Sequence, residues 1–539
     1  MKSSLRYPLT PVLFIGLALG AAPWIFGADN DKKEKDPDDE VLVLSPLYVT
    51  APDVGGYSSC STLAGARMGA TVGGAKDTNY FRDVVKRGQF PHPNTITAEG
   101  LFSEYDLPLK TEAKGQDLLL LNGEATSTTL LTQPDVRYLA QIGFSSGLDA
   151  QTWHREPLNL IAVVDKSGSM SGQPIHLVKK CLHQVLSQLG PDDQMSIVLY
   201  GDRSHVHLEP LHATAKNRKE IAAAINAIEI AGSTNMEEGL KVGFDLARRS
   251  QPTFRGRTRI MQFTDERPNV GDTSADGFMG LMEAGSRDGI GQTTIGVGEE
   301  FGAELATKIS SVRGGNLYFF PDLTEMEKTF TEELDTLLTE LAYDLDMTIK
   351  PAPGLRIAGV YGIPGEMLKW ENDRNIHFHV TTLFLSKRRG AIYVAFAPEE
   401  ESLPERSYKN GQSLASINLS YREAGKKKDT ASRLELPFAT KKAGDGLHRG
   451  RLLTGEFLAL KGAMTAHLIE NNQEKAYRLL SDLNAELGHS SDRAIGKERE
   501  LVDTLLKSMS KLSGHGEQAS VTIEKDEPEP TNVTANYWW

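Results

Sequence analysis

Cysteine is nearly absent from this chain of 539 residues, which contains only Cys60 and Cys181. Two thiols cannot form a disulfide framework or a cysteine-based zinc cluster, so domains that depend on several disulfides or on a cysteine-bound zinc ion are excluded. Cys181 shares helical spacing with Val178 and Val185, and we therefore expect it to be buried as a small apolar side chain.

Long apolar runs are also scarce, and the longest lies at residues 12–26. Lys2 and Arg6 precede this run and a strongly polar stretch follows it, which is typical of a secretory signal. The run contains Pro23 and is shorter than the roughly 20 residues of a spanning helix. We expect a cleaved signal and an exported protein, in the periplasm or cell envelope or secreted. An uncleaved anchor is the alternative, and only then do we expect membrane contact.

Positive charge is in the minority, with 59 Lys and Arg against 72 Asp and Glu and a net charge of -13 at pH 7. An acidic surface repels phosphate backbones, so nucleic acid is excluded as a general partner. It suits divalent cations, although charge alone does not define a site. A chain of this length is too long to fold around a single hydrophobic core, and we expect several folding units.

The spacing of apolar residues divides the chain into segments. The predicted segments are a signal at 1–27, a linker at 28–75, an N-terminal module at 76–156, an α/β domain at 157–339, a β-rich domain at 340–450, a helical region at 451–515 and a disordered tail at 516–539. In the α/β domain, apolar strands alternate with amphipathic helices, which predicts a doubly wound, mostly parallel sheet covered by helices on both faces. The period then falls to two, which favours a β-sandwich-like unit.

We expect the α/β domain to be inserted into the β-rich unit instead of simply preceding it. A strand-like segment at 136–144 lies just before the domain, and an alternating strand at 341–349 lies just after it. Neither flank has enough strands for a stable sandwich alone. The two termini of an α/β domain of this kind lie close together, which makes insertion into a sheet feasible.

Side chains that carry oxygen follow the first buried strand of the α/β domain. Residues 165–172 read DKSGSMSG, and Gly168 allows a turn tight enough for the side chains of Asp165, Ser167 and Ser169 to converge. The carboxyl ends of strands in open α/β sheets are where ligands bind. This turn is therefore a candidate binding site.

Two further loops supply oxygen atoms. Thr234 lies in the sequence GSTNMEEGL, and Asp265 ends a second apolar strand in the sequence FTDERPN. Such hard oxygen donors suit Mg²⁺, Mn²⁺ or Ca²⁺ better than Zn²⁺ or Cu²⁺. The structural alternative is that the hydroxyls only cap helices and that Asp165 only closes a turn.

These three motifs, in this order on an α/β pattern, resemble the metal-ion-dependent adhesion site of von Willebrand factor type A domains, over residues 158–338. The resemblance assigns the ion to Asp165, Ser167, Ser169, Thr234 and Asp265. It also implies that an Asp or Glu of a protein partner completes the coordination. Glu266 departs from the family pattern, in which Gly is common at that position, and it adds a carboxylate beside the site.

Two weaker resemblances concern the N-terminal part. Residues 44–50, LSPLYVT, and 61–65, STLAG, are similar to the start of the plug of TonB-dependent receptors, but the chain is too short for such a receptor's barrel. Residues 77–106, with the turn GQFP, resemble the short module that precedes the type A domain in exported bacterial proteins. The second resemblance implies an architecture more than a function.

Other sites are disfavoured by mismatches. The sequence GSMSG has Met170 where a nucleophile elbow requires Ser, and Ala75 stands where a P-loop requires Lys. Exposed strands with alternating histidines explain the remaining candidates better than a second metal cluster does. Those candidates are Asp202, His205, His207, His212, His377 and His379. We interpret the chain as a metal-dependent protein-binding protein that is not an enzyme, with a hydrolase or an accessory subunit of a separate ATPase as the alternatives.

Overall fold

The computed structural model describes most of the chain between residues 78 and 513. The described residues are 78–109, 117–145, 155–266, 274, 276–297, 309, 311–320, 326, 330, 334–363, 367–372, 374–385, 391–399, 409–438 and 443–513. The predicted signal, the linker, the polar tail and Cys60 lie outside them. Cys181 is 1% exposed, which confirms its predicted burial.

The α/β domain contains a six-stranded sheet with helices on both faces. Its strands are β3 (Leu158–Asp165), β4 (Gln194–Tyr200), β5 (His205–His212), β6 (Arg257–Thr264), β7 (Ile290–Val297) and β8 (Gly315–Phe320). The sheet order is β5-β4-β3-β6-β7-β8, and only the edge strand β5 pairs antiparallel. This arrangement confirms the predicted doubly wound, mostly parallel sheet.

The helices of this domain bury one apolar stripe each. They are α3 (Gln173–Gln188), α4 (Arg218–Asn226), α5 (Met236–Ser250), α6 (Phe278–Arg287) and α7 (Leu334–Leu338). Helices α3 and α4 pack in the core on one face of the sheet, and α5 and α6 pack in the core on the other. Strands β3, β4 and β7 are buried along their whole length, and β3 and β4 accordingly read as mostly apolar runs in the sequence.

The β-rich unit is a sandwich of two antiparallel sheets. Its strands are β1 (Leu120–Ser127), β2 (Tyr138–Ser145), β9 (Glu340–Pro351), β10 (Leu355–Tyr361), β11 (Leu368–Glu371), β12 (Asn375–Phe384), β13 (Ile392–Pro398), β14 (Ser413–Glu423) and β15 (Asp429–Pro437). One sheet has the order β1-β2-β13-β10 and the other β11-β12-β9-β14-β15. Apolar side chains of both sheets, such as Ile142 and Leu345, share one core.

Strands from both sides of the α/β domain pair directly in this sandwich. Ala140 of β2 lies opposite Val394 of β13, although the whole α/β domain separates them in sequence. The pairing confirms the prediction that the α/β domain is inserted into the β-rich unit. The alternating strand predicted at 341–349 is β9, and it belongs to the opposite sheet.

Helices from the two ends of the described chain form a second layer on the sandwich. They are α1 (Thr78–Lys86), α2 (Ala98–Ser103), α8 (Asp445–Leu468), α9 (Gln473–Gly488) and α10 (Gly496–Leu512). Their apolar side chains share a core with Leu139 and Tyr393 of the first sheet. Arg82 Nη2 of α1 donates to Glu498 Oε1 of α10 at 2.6 Å. Among the described helices, none combines the length and the apolar character that a bilayer crossing requires.

The α/β domain meets the sandwich at the amino ends of its parallel strands. Arg259, near the start of β6, is buried and donates to Thr293 Oγ1 at 2.8 Å and to the carbonyl of Gly314 at 2.9 Å. It also pairs with Glu340, the first residue of β9. The carboxyl ends of the strands therefore point away from this junction.

Candidate metal centre

Asp165 ends β3 and is fully buried. Two donors hold its carboxylate: the Ser167 backbone N–H donates to Oδ1 at 2.9 Å, and Thr264 Oγ1 donates to Oδ2 at 3.2 Å. Thr264 is the last residue of the neighbouring strand β6. The carboxylate is thereby fixed between two parallel strands at the carboxyl edge of the sheet.

The first loop connects this carboxylate to the third loop, through the backbone N–H of Ser167 and then through serine hydroxyls. A short 3₁₀ turn, Gly168–Met170, follows Ser167. The Oγ atoms of Ser167 and Ser169 lie 3.0 Å apart, and Ser169 Oγ donates to Asp265 Oδ1 at 3.0 Å. Four of the five predicted residues are thus brought together in one chain of contacts.

The fifth residue, Thr234, is placed by its loop. Two backbone hydrogen bonds join this loop to the first one: Gly168 N–H donates to the Gly232 carbonyl at 3.1 Å, and Ala231 N–H donates to the Lys166 carbonyl at 2.8 Å. Thr234 follows two residues after Gly232 and is half-buried. Within the described contacts, no hydrogen bond joins its side chain to the other four residues.

Asp202 contacts the Thr234 loop, a contact that the sequence does not predict. Its Oδ1 accepts from the Ser233 backbone N–H at 2.8 Å and from Ser233 Oγ at 2.7 Å. Both hydrogen bonds lower the pKa of the Asp202 carboxyl, and the one from the Ser233 hydroxyl has the larger effect. The signal available in the sequence is its position two residues after the end of β4, next to β3 in the sheet.

The donor set fits a small divalent ion. All the groups are hydroxyl or carboxylate oxygens, and the Oγ–Oγ and Oγ–Oδ1 separations are both 3.0 Å. These hard oxygen donors suit Mg²⁺, Mn²⁺ or Ca²⁺.

The charges around the site also favour a cation. Asp265 is half-buried, and burial raises the pKa of its carboxyl, with the negative charges of Asp165 and Glu266 adding to the increase. Glu266 itself is exposed, with its backbone N–H bonded to Thr264 Oγ1 at 3.0 Å. A divalent ion between these carboxylates would offset their mutual repulsion.

The histidines on β5 and in the sandwich do not belong to this group of oxygen ligands. On the edge strand β5, His205 and His212 are exposed, and His207 Nε2 lies 2.9 Å from the Ala224 carbonyl. In the sandwich, His379 Nδ1 lies 3.0 Å from Asp346 Oδ1. In the part of the chain that the structure describes, no three His, Cys, Asp or Glu side chains are grouped as metal ligands.

Comparisons with known proteins give a family match for the α/β domain. The family model of the von Willebrand factor type A domain matches residues 159–332. The chain is 28% identical over 197 residues to the uncharacterized protein YfbK of Escherichia coli, which is 36% of this chain and 34% of that protein. It is 25% identical over 324 residues to inter-alpha-trypsin inhibitor heavy chain H1 of Mesocricetus auratus, covering 58% of this chain and 33% of that protein.

The chain therefore matches about a third of the length of these two curated relatives. Among solved structures, it is similar to a von Willebrand factor type A protein from Catenulispora acidiphila. That similarity has 14% identity and a TM-score of 0.42, and it covers 69% of this chain and 88% of the other.

Proposed function

We propose that this chain, in which residues 159–332 form a von Willebrand factor type A domain, is an exported protein that grips a protein partner through a divalent ion. Domains of this type commonly mediate metal-dependent binding between proteins. The observation that carries the proposal is the continuous set of hydrogen bonds and close contacts from Asp165 through Ser167 and Ser169 to Asp265. We propose these four residues and Thr234 as the ligands of Mg²⁺, with Mn²⁺ or Ca²⁺ as alternatives.

The exposure of the site would let a partner supply a carboxylate to the ion. Asp265 is only half-buried, and Ser169 is exposed, so this side of the site is open to solvent. An Asp or Glu from a partner can reach an ion there and complete its coordination shell.

Binding explains the site better than catalysis does. The hydroxyl of Ser169 donates to the carboxylate of Asp265, and the hydroxyl of Ser167 lies against that of Ser169. A nucleophilic serine needs a base that takes its proton and is held by a third group. We propose that the hydroxyls and carboxylates act here as ligands.

The proposed place of action is outside the cytoplasm. The support is the basic start, the apolar run at 12–26 and the polar stretch after it, which are typical of a secretory signal. N-terminal sequencing of the mature protein should find a start close to Ala28. A bulk of protein that retains Lys2 would favour the anchored alternative.

The experiment is affinity capture from an envelope extract with the immobilised full-length chain. Capture should occur in Mg²⁺ and be lost on chelation. Thr234→Ala should weaken capture, because it removes one hydroxyl from the site, while Asp276→Ala, which removes an exposed carboxylate bonded to Lys241, should not. Capture that survives both chelation and Thr234→Ala would contradict the proposal.

A further inference from the structure

We infer that Asp202 is a positioning residue for the metal site, because it holds the loop that presents Thr234. The inference rests on the proposed function and adds a residue that does not itself bind the ion. Asp202 lies after β4, Asp165 ends β3 and Asp265 follows β6. Loops at the ends of three neighbouring strands then build the site.

Asp202 fixes the residue directly before Thr234. A single carboxylate oxygen, Oδ1, accepts both the backbone N–H and the hydroxyl of Ser233, at 2.8 and 2.7 Å. Hydrogen bonds to an ionised acceptor are stronger than neutral ones. The pair of bonds restrains both the backbone and the side chain of Ser233, and therefore the direction in which the chain enters Thr234.

The residue directly after Thr234 is fixed as well. Asn235 is the N-cap of α5, and its side chain accepts from the Glu238 backbone N–H at 3.1 Å. Helix α5 is buried against β3 through residues such as Leu240. Thr234 thus lies between one residue held by Asp202 and one held by a packed helix, which restrains its backbone.

Close packing of two glycines shows that the contact is built into the fold. A Cβ added at Gly232 would lie 2.7 Å from both the backbone N and Oδ2 of Asp202, and Gly232 has φ +92°, where L side chains are strained. A Cβ added at Gly201 would lie 2.6 Å from the Ala231 carbonyl oxygen. The turn that carries Asp202 therefore lies directly against the Thr234 loop.

The first test is a Mg²⁺ titration of the metal-free full-length chain by calorimetry. Asp202→Ala should weaken Mg²⁺ binding about tenfold, the lower end of what loss of an outer partner of a ligand costs. Asp202→Asn keeps an oxygen acceptor for Ser233 and should recover most of the affinity. Asp276→Ala is the matched control, an exposed carboxylate of the same domain whose partner is Lys241, and it should bind like the wild type.

A double-mutant cycle separates positioning from a general effect of charge or stability. If Asp202 acts through Thr234, the loss caused by Asp202→Ala should vanish in a Thr234→Ala background and persist in a Thr234→Ser background, which keeps the hydroxyl. Additive losses of Asp202→Ala and Thr234→Ala, or unchanged binding in Asp202→Ala, would overturn the inference.

Hydrogen exchange without metal tests the same contact independently of the ion. Peptides that cover 229–238 should exchange faster in Asp202→Ala than in the wild type, and peptides of α3 should not change. Equal exchange in the two proteins would overturn the inference. A wild type that fails to bind Mg²⁺ but shows the exchange difference would instead contradict the proposed function and leave Asp202 as the holder of this loop.

Discussion

The buried ion pair between Arg259 and Glu340 should be a main stabiliser of the junction between the α/β domain and the sandwich. The side chains are 3% and 13% exposed. Arg259 donates to Thr293 Oγ1 at 2.8 Å and to the Gly314 carbonyl at 2.9 Å, and its guanidinium lies 5.0 Å from the centre of the Phe384 ring. Removing one partner leaves the other charge buried without compensation, which typically costs about 3–5 kcal/mol.

Arg259→Met and Glu340→Gln should therefore each lower the free energy of unfolding by about 3–5 kcal/mol. The double variant should lose about 1–3 kcal/mol less than the sum, because each single change already breaks the pair. The measurement is urea unfolding followed by circular dichroism, in which the midpoint and the slope give the free energy. Arg248→Met is the matched control, since the Arg248–Asp288 pair is 36% and 45% exposed, and it should cost less than about 1 kcal/mol.

Mg²⁺ binding should be unaffected in these variants. Arg259 precedes Asp265 by six residues along an extended strand, a separation of about 20 Å, so the junction and the site lie at opposite ends of the sheet. Losses below about 1 kcal/mol in Arg259→Met, or strictly additive losses in the double variant, would refute this account of the junction.

Two further predictions concern stability. Glu456 is fully buried, and burial, then the charge of Glu498, raises its pKa well above the ordinary 4.5. The folded state therefore keeps a proton that the unfolded state releases, so stability should fall as the pH rises above 4.5, by at most roughly 1.4 kcal/mol per pH unit. Glu456→Gln should remove this slope in urea titrations across pH, and an unchanged slope would contradict the assignment. A Cβ at Gly285 would lie 2.0 Å from the Phe244 ring, so Gly285→Ala should lower the free energy of unfolding by about 1–3 kcal/mol in the same assay. Gly488→Ala is the control and should not destabilise the protein, because a Cβ there meets nothing within 4 Å. Equal effects of the two substitutions would contradict the packing argument.

The α/β domain and its candidate site could be predicted because their signals are local. Asp165 ends one apolar strand and Asp265 directly follows another, and the carboxyl ends of the strands of a parallel sheet share one edge. Ser167 and Ser169 follow Asp165 so closely that a single turn brings the three side chains together. That these side chains bind an ion stays a prediction, which their hydrogen-bonded arrangement supports.

The contact of Asp202 with Ser233 is not predicted by the sequence, because the two residues are far apart along the chain. In the sequence Asp202 stands three residues before His205, a pattern that favours an exposed strand over a metal cluster. In the structure its carboxylate faces Ser233, 31 residues away, and His205 lies on β5. A turn's direction after a strand depends on the packing of the next loop, which the period of apolar residues does not reveal.

The pairing of distant segments could be predicted only in outline. Alternation at 136–144 and 341–349 indicated strands on both sides of the domain, but a period of two gives the buried face of a strand and not its neighbour. The neighbour of β2 is β13, and β9 lies in the other sheet. The packing of α1 against α10, with Arg82 bonded to Glu498, joins residues 416 apart, and no local pattern encodes it.

The most direct test of the metal site is a calorimetric titration of Mg²⁺ into the metal-free chain, with Asp165→Ala and Asp276→Ala in parallel. The wild type and Asp276→Ala should bind at one dominant site and unfold at higher temperature in saturating Mg²⁺, because a ligand of the folded state stabilises it. Asp165→Ala should lose most of the affinity and this thermal gain. Equal Mg²⁺ binding by the wild type and Asp165→Ala would contradict the account.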